Sequence, residues 1–254
     1  MEIVERTVII PCAGKGSRMG DTIRPKALSI IKNKPALEHL LQSMDKYFSK
    51  FYVVINDLKS EEEIYRNNLS GPLLRKVCFV KSIAGQGDGQ AVLDALSTMN
   101  FKKRSSHVMV CWGDTYINSP TLLNKLLNTI EENRYNECFI APVRKVKDPY
   151  VTYLTDEGEK LKRVAFSRKG EFFNQGHTDI SMFFIDTKVI YEALNDLKDQ
   201  VKVIGGSKSE LNFLDLVEFF YKKNTPTRIF EINDINPVLS FNTVREAESI
   251  NKKH

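Results

Sequence analysis

Short apolar runs alternate with amphipathic segments over the first two-thirds of this chain, and nothing else in the sequence restricts its fold as strongly. Residues 7–12 (TVIIPC) predict a first strand. Residues 35–47 open on Pro35 and place Leu37, Leu40, Leu41, Met44 and Tyr47 at helical spacing, an amphipathic helix entered through a proline. Strands are expected at 51–55, 77–80, 107–112 and 138–143. Helices are expected at 89–99 and 120–128, and residues 58–66 read as an exposed short helix or loop. This rhythm argues for a mostly parallel sheet covered on both faces. After residue 150 the pattern changes. VTYLTDEGEKLKRVAF reads as a hairpin through a Gly-containing turn. A strand at 180–185, helices at 189–197 and 213–220, a strand at 226–231 and a terminal helix at 244–250 complete the reading. The expectation is one α/β domain over 1–254 with antiparallel additions, not two independent domains.

Composition excludes several classes. The chain has 254 residues, 42% of them hydrophobic, which is enough for a large core. The net charge of +5 has no long basic block behind it, and no Cys/His zinc spacing occurs, so no nucleic-acid partner is expected. No long apolar stretch predicts a membrane span, and the charged N-terminus is unlike a signal peptide. The four cysteines, Cys12, Cys78, Cys111 and Cys138, form no CxxC pair and read as thiols of a reducing cytoplasm. A cytoplasmic protein, with homo-oligomerisation open, is the expectation.

Three constellations carry chemistry. In the first, IIPCAGKGSRMGDTIRPKAL, a strand runs into Gly14-Lys15-Gly16-Ser17-Arg18. Glycines there allow tight turns and close backbone approach, and their N–H groups can form an anion-binding concavity. Lys15, Arg18, Arg24 and Lys26 put four cations within twelve residues, which suits a polyphosphate. The spacing is not that of a Walker A loop, and Met19 breaks the dinucleotide fingerprint GxGxxG. The second constellation, SIAGQGDGQAVLDAL, alternates Gly85, Gly87 and Gly89 before a helix. Asp88 could accept hydrogen bonds from a base or ribose, or cap the helix. In the third, Asp114 follows the strand 107–112 just after Gly113, at the strand end where ligands bind in parallel sheets; a turn or cap residue is the alternative.

The first string resembles the signature of the nucleoside-triphosphate transferase family, the sugar-1-phosphate nucleotidyltransferases and their relatives. Ala13-Gly14-Lys15-Gly16-Ser17-Arg18-Met19 and Pro25-Lys26-Ala27-Leu28 match its Ala-Gly-x-Gly-Ser/Thr-Arg-Met/Leu and Pro-Lys-x-Leu elements, with Pro11-Cys12 replacing the usual Leu-Ala. The resemblance implies a Rossmann-like three-layer α/β/α (GT-A-like) fold. It implies a nucleotide-binding half at about 1–137 and an acceptor-binding half at 138–254. Ala13, Gly14, Lys15, Gly16 and Ser17 would wrap the phosphates, Arg18 would grip those leaving as pyrophosphate, and Lys26 would approach the α phosphate. Gln86, Gly87 and Asp88 match by position the loop that contacts base and ribose, although Asp88 stands where Thr is common. Asp114 corresponds to a magnesium-binding Asp, and Asn242, in Phe241-Asn242-Thr243 before an acidic helix, to its partner ligand.

The implied reaction is in-line attack by an acceptor phosphate on the α phosphorus of an NTP, with Mg²⁺ as cofactor and CTP or UTP expected in preference to dTTP. The partners are then an NTP and a phosphorylated small molecule, a sugar 1-phosphate or similar, for surface polysaccharide or related precursors. On the acceptor side the pattern departs from the family. Arg168 and Lys169 could meet the acceptor phosphate or form a solvated basic turn. Asp179 stands near a position usually held by Asn, and Glu210 could face the pocket. A cytidylyltransferase acting on a phosphocholine-like or amino-acid-like phosphate therefore stays open, as does a non-catalytic homologue. A glycosyltransferase fits less well, because Asp114-Thr115-Tyr116 lacks the second Asp of its metal motif.

Overall fold

Why the early runs become buried parallel strands is visible in how their side chains divide. Val8 and Ile10 point to one face of the sheet and Ile9 to the other; Phe51, Val53 and Ile55 likewise oppose Tyr52 and Val54. Both faces are covered, so each strand is apolar throughout rather than alternating with polar residues. The computed structural model describes residues 6–14, 25–58, 60–99, 107–117, 119, 121–133, 137–157, 160–205, 210–232, 238–241 and 243–252.

In chain order, β1 (Thr7–Pro11) is followed by a helical turn at Lys26–Leu28, the ribbon β2 (Ile30–Ile31) and β3 (Lys34–Pro35), and α1 (Ala36–Met44). Then come β4 (Lys50–Asn56), α2 (Glu61–Asn68), α3 (Gly71–Leu74), β5 (Val77–Ser82) and α4 (Asp88–Thr98). The middle holds β6 (His107–Cys111), β7 (Thr115–Ile117), α5 (Leu122–Asn133), β8 (Phe139–Lys147), β9 (Val151–Thr155) and β10 (Leu161–Phe166). The last part holds β11 (Gln175–Asp179), β12 (Met182–Asp186), α6 (Thr187–Gly205), α7 (Asp215–Lys222), β13 (Thr227–Glu231), β14 (Val238–Ser240) and α8 (Val244–Lys252).

β6, β1, β4 and β5 are neighbours and all parallel. β12 joins antiparallel to β6 and then to β8, while β11 runs antiparallel and β13 parallel to β8. The expected parallel sheet with antiparallel additions is what forms. On one face α4, α6, α7 and the β9–β10 hairpin pack over Val110, Phe139 and Phe183. On the other, α1 and α5 pack over Ile10, Val53 and Met109. Fully burying one such Leu or Phe contributes about 1.5–3 kcal/mol.

Two expectations shift. Residues 58–66 do carry a short helix, α2, with Leu58, Ser60, Glu63 and Arg66 exposed, but its inner face buries Tyr65 and Glu61 against the end of β4. The strand expected at 180–185 begins at Met182; β11 ends at Asp179, and Ile180 and Ser181 lie between the two strands. The apolar run hid this break, since Ile180 is buried like its neighbours. No helix among the described residues is long and apolar enough to cross a membrane.

Candidate active site

The parallel strands end together, and their ends carry the site. Cys12, just past β1, donates its backbone N–H to Val54 O at 2.7 Å, and Gly113, just past β6, donates to Pro11 O at 3.3 Å. This cross-link sets Asp114 beside the start of the glycine loop. Gly113 has to be glycine here, because a β-carbon would collide with Cys12 Sγ. Among the described residues nothing lies within 4 Å of where a β-carbon on Gly14 would sit, and a glycine there permits close approach of a ligand to the backbone.

Lys26 sits in the helical turn behind Pro25, and its ammonium donates to Asp114 Oδ2 across 88 positions of sequence. The two side chains are 21% and 19% exposed, so the pair is largely shielded from solvent. Lys26 Nζ also lies 5.5 Å from the centre of the Phe241 ring. Asp114 Oδ1 is buried with no hydrogen-bond partner among the described residues. A buried carboxylate oxygen left with free lone pairs is costly unless a ligand takes it, and it is the donor type that magnesium prefers. The chain returns to this point late: β14 pairs antiparallel with β7, placing Ser240 opposite Thr115. Lys15, Gly16, Ser17, Arg18 and Asn242 lie outside the described residues.

The second loop is held from behind. Leu211 N–H donates to Gln86 O at 2.8 Å, Gly89 N–H to Leu211 O at 2.9 Å, and Phe213 N–H to Asp88 Oδ1 at 2.8 Å. Asp88 is the first residue of α4, yet it does not cap that helix; the N-cap is Gly87. Its carboxylate ties the 211–213 segment to the loop instead. Gly87 has φ 95°, and a β-carbon on it would strike the Leu211 backbone. Gln86 is exposed and lines a cavity of about 1100 Å³ with Gly85, Ser82, Asp57 and Gln90.

The acceptor-side residues separate into two groups. Arg168 and Lys169 occupy the turn after β10, each about 5 Å from the Phe166 ring at 5.1 and 4.9 Å. Arg168 lies within electrostatic reach of Asp88 and Asp215, and Lys169 of Asp215, so the basic turn overhangs the second loop. Burial raises the Asp215 carboxyl above its ordinary range, and these cations oppose the rise. Glu210 is exposed at the head of the segment that clamps the loop. Asp179 stands apart from them. Its oxygens accept from Tyr153 Oη at 3.3 Å and Ser181 N–H at 2.8 Å, and burial holds its carboxyl above the usual range. Sequence reading passed over Trp112, whose ring packs against Phe183 and Phe213 at 5.3 and 5.6 Å. Its place between an apolar strand and Gly113-Asp114 was the available signal. His39 is a packing residue, with Nε2 2.6 Å from Ile31 O and its ring against Tyr116.

The comparisons agree with this geometry. The chain matches the MobA-like NTP transferase domain over residues 8–179. It is 33% identical over 128 residues to the bifunctional protein GlmU of Francisella tularensis subsp. novicida, covering 50% of this chain and 26% of that protein. It is 21% identical over 241 residues to GlmU of Staphylococcus haemolyticus, covering 94% of this chain and 50% of that protein. The chain thus spans between a quarter and half the length of these relatives. Among solved structures, HddC from Yersinia pseudotuberculosis complexed with GMP-PN shares the fold, with a TM-score of 0.69 at 16% identity, over 98% of this chain and 99% of that one. With the family match running from β1 to the end of β11 and the paired Lys26 and Asp114 at its centre, the chain belongs to the family of MobA-like NTP transferase domains.

Proposed function

We propose that this protein transfers a nucleoside monophosphate from an NTP to the phosphate of a small molecule, a sugar 1-phosphate or a similar compound, and releases pyrophosphate. The observation that carries the reading is the pairing of Lys26, in the helical turn behind Pro25, with Asp114, just past β6, with Asp114 Oδ1 left without a partner among the described residues. GMP-PN in the HddC structure supports a nucleotide as ligand.

In this reading an anionic oxygen of the acceptor phosphate attacks the α phosphorus, a new P–O–P bridge forms, and the bond to the β phosphate breaks. The nucleophile is already charged, so no side-chain base is needed. Catalysis rests on positioning and on stabilising charge. Lys26 exchanges its carboxylate partner for an α-phosphate oxygen and holds it through the transfer. Arg18 grips the departing phosphates. Asp114, with Asn242, would hold Mg²⁺, which supplies charge neutralisation to the triphosphate. Gln86 and Asp88 stand beside base and ribose, with CTP or UTP preferred. Arg168 and Lys169 neutralise the acceptor phosphate, with Glu210 at its rim. The product class suits surface polysaccharide or related precursors.

The test is a pyrophosphate-release screen of purified protein with each NTP, Mg²⁺ and a panel of phosphorylated sugars and phosphorylated amino compounds. One pair should give release, and that pair names both base and acceptor. An absence of release with every pair, together with an absence of NTP binding by calorimetry, overturns the reading. Asp114→Ala should weaken the dependence on Mg²⁺; unchanged activity would remove Asp114 from the site.

A further inference from the structure

Ser181 has φ 65°, a left-handed backbone conformation that a residue bearing a β-carbon adopts only under constraint. It is also buried. The constraint is visible in the register. Between the pairs Asp179↔Val143 and Phe184↔Ile140 the chain advances five residues against three on β8, and Ile180 N–H still donates to Pro142 O at 3.2 Å. Two residues, Ile180 and Ser181, are therefore extra, which makes a bulge between β11 and β12. Bulges re-aim side chains and are found next to active sites.

The bulge is fastened at both ends. On one side Ser181 N–H donates to Asp179 Oδ1 at 2.8 Å, while Tyr153 Oη donates to Asp179 Oδ2 at 3.3 Å. On the other side Ser181 O accepts the backbone N–H of Trp112 at 3.1 Å. Trp112 O in turn accepts Thr115 N–H at 3.1 Å, which closes the turn that carries Gly113 and Asp114. A continuous hydrogen-bonded path thus runs from Tyr153 through Asp179, Ser181 and Trp112 to the Asp114 turn. The indole packed on Phe183 and Phe213 keeps that turn from rotating.

We infer that Asp179 is a positioning residue, which with Tyr153 holds the Ser181 bulge and through Trp112 sets the Asp114 carboxylate for its metal and nucleotide, and that it is not a ligand of the acceptor. This rests on the proposed role of Asp114. Both Asp179 oxygens are already committed inside the protein, and the group that receives the effect is a backbone turn rather than a substrate.

The test uses the single tryptophan of the chain, Trp112, as a reporter. Asp179→Ala should shift Trp112 emission. It should also raise the Mg²⁺ concentration for half-maximal pyrophosphate release roughly 10- to 100-fold, the range usual when a residue orienting a metal ligand is lost. The acceptor KM should change little. Ser181→Gly removes the β-carbon that makes the bulge depend on its fastening. The double variant Asp179→Ala/Ser181→Gly should therefore recover most of the wild-type emission and Mg²⁺ dependence. Asp179→Asn, which can still accept from Ser181 N–H, should stay near wild type and serves if the alanine variant does not fold. A rise in acceptor KM with emission and Mg²⁺ dependence unchanged, or no recovery in the double variant, overturns the inference. If no NTP and acceptor pair releases pyrophosphate, the emission shift and its recovery still read the brace, and the failure then belongs to the transferase reading.

Discussion

Lys26 shows how one side chain can matter greatly to turnover without deciding whether the chain folds. Its partner Asp114 is only part-exposed, and removing the donor from such a carboxylate costs on the order of 1–3 kcal/mol of stability. In the transfer step the same ammonium meets charge building on the α phosphate, where one preorganised donor is worth ~10²–10³ in rate. Lys26→Ala should therefore lower turnover by ~10²–10³ while leaving the protein folded, with an unfolding free energy lower by no more than about 3 kcal/mol. Steady-state kinetics beside denaturant titration check both halves. A large stability loss with proportionate activity loss would make Lys26 a structural residue.

At the element scale, the loop before α4 is shaped by a segment more than a hundred residues away. Three hydrogen bonds from 211–213 hold Gln86, Asp88 and Gly89, and the close approach leaves no space for a β-carbon at Gly87. Gly170, in the turn after β10, gives a milder comparison: it is left-handed helical at φ 84° and ψ 10°, with nothing among the described residues near its β-carbon position, whereas Gly87 at φ 95° and ψ 163° occupies a region essentially restricted to glycine. Gly170→Ala should cost only the backbone strain, about 1–2 kcal/mol. Gly87→Ala should cost about 1–3 kcal/mol more through its backbone conformation and the clash and should weaken NTP binding, because the loop shifts. Thermal melts and calorimetric titration of both variants check this order; equal effects would mean that the 211–213 segment and the loop yield freely. The sequence announced this loop by its glycines but not their reason. Gly87 and Gly89 read as part of a loop that contacts base and ribose, whereas their neighbour is Leu211.

For the whole molecule, the two-sided burial of the sheet fixes the behaviour of its thiols. Cys111 and Cys138 are free and buried, the first at the end of β6 and the second just before β8. Desolvation raises both, with Cys138 pushed from 9.0 up to about 12. The folded chain keeps these protons above pH 9, while the unfolded chain releases them. Unfolding therefore becomes easier as pH rises from about 9 toward 12, at about 1.4 kcal/mol per pH unit for each such thiol. Cys138→Ala should show a shallower alkaline loss of stability than the parent in denaturant melts across that range. Parallel slopes would show that Cys138 titrates alike in both states.

What the sequence determined by itself is what neighbours along the chain decide. Short apolar runs set the strands of the sheet, proline and helical spacing placed α1, and Ala13-Gly14 with Pro25-Lys26 carried the resemblance to the NTP transferases. These signals are local, because they depend on backbone preference and on which face of an element is apolar. The Lys26–Asp114 pair could be named residue by residue from the family string, but only parallel pairing of β1 with β6 brings the two together. The Ser181 bulge, the inward tether of Asp88 and the engagement of Asp179 by Tyr153 had no local signal at all. Each depends on strand register and on contacts between distant segments, where a polar side chain takes the nearest buried partner, whatever its own sequence neighbourhood suggests.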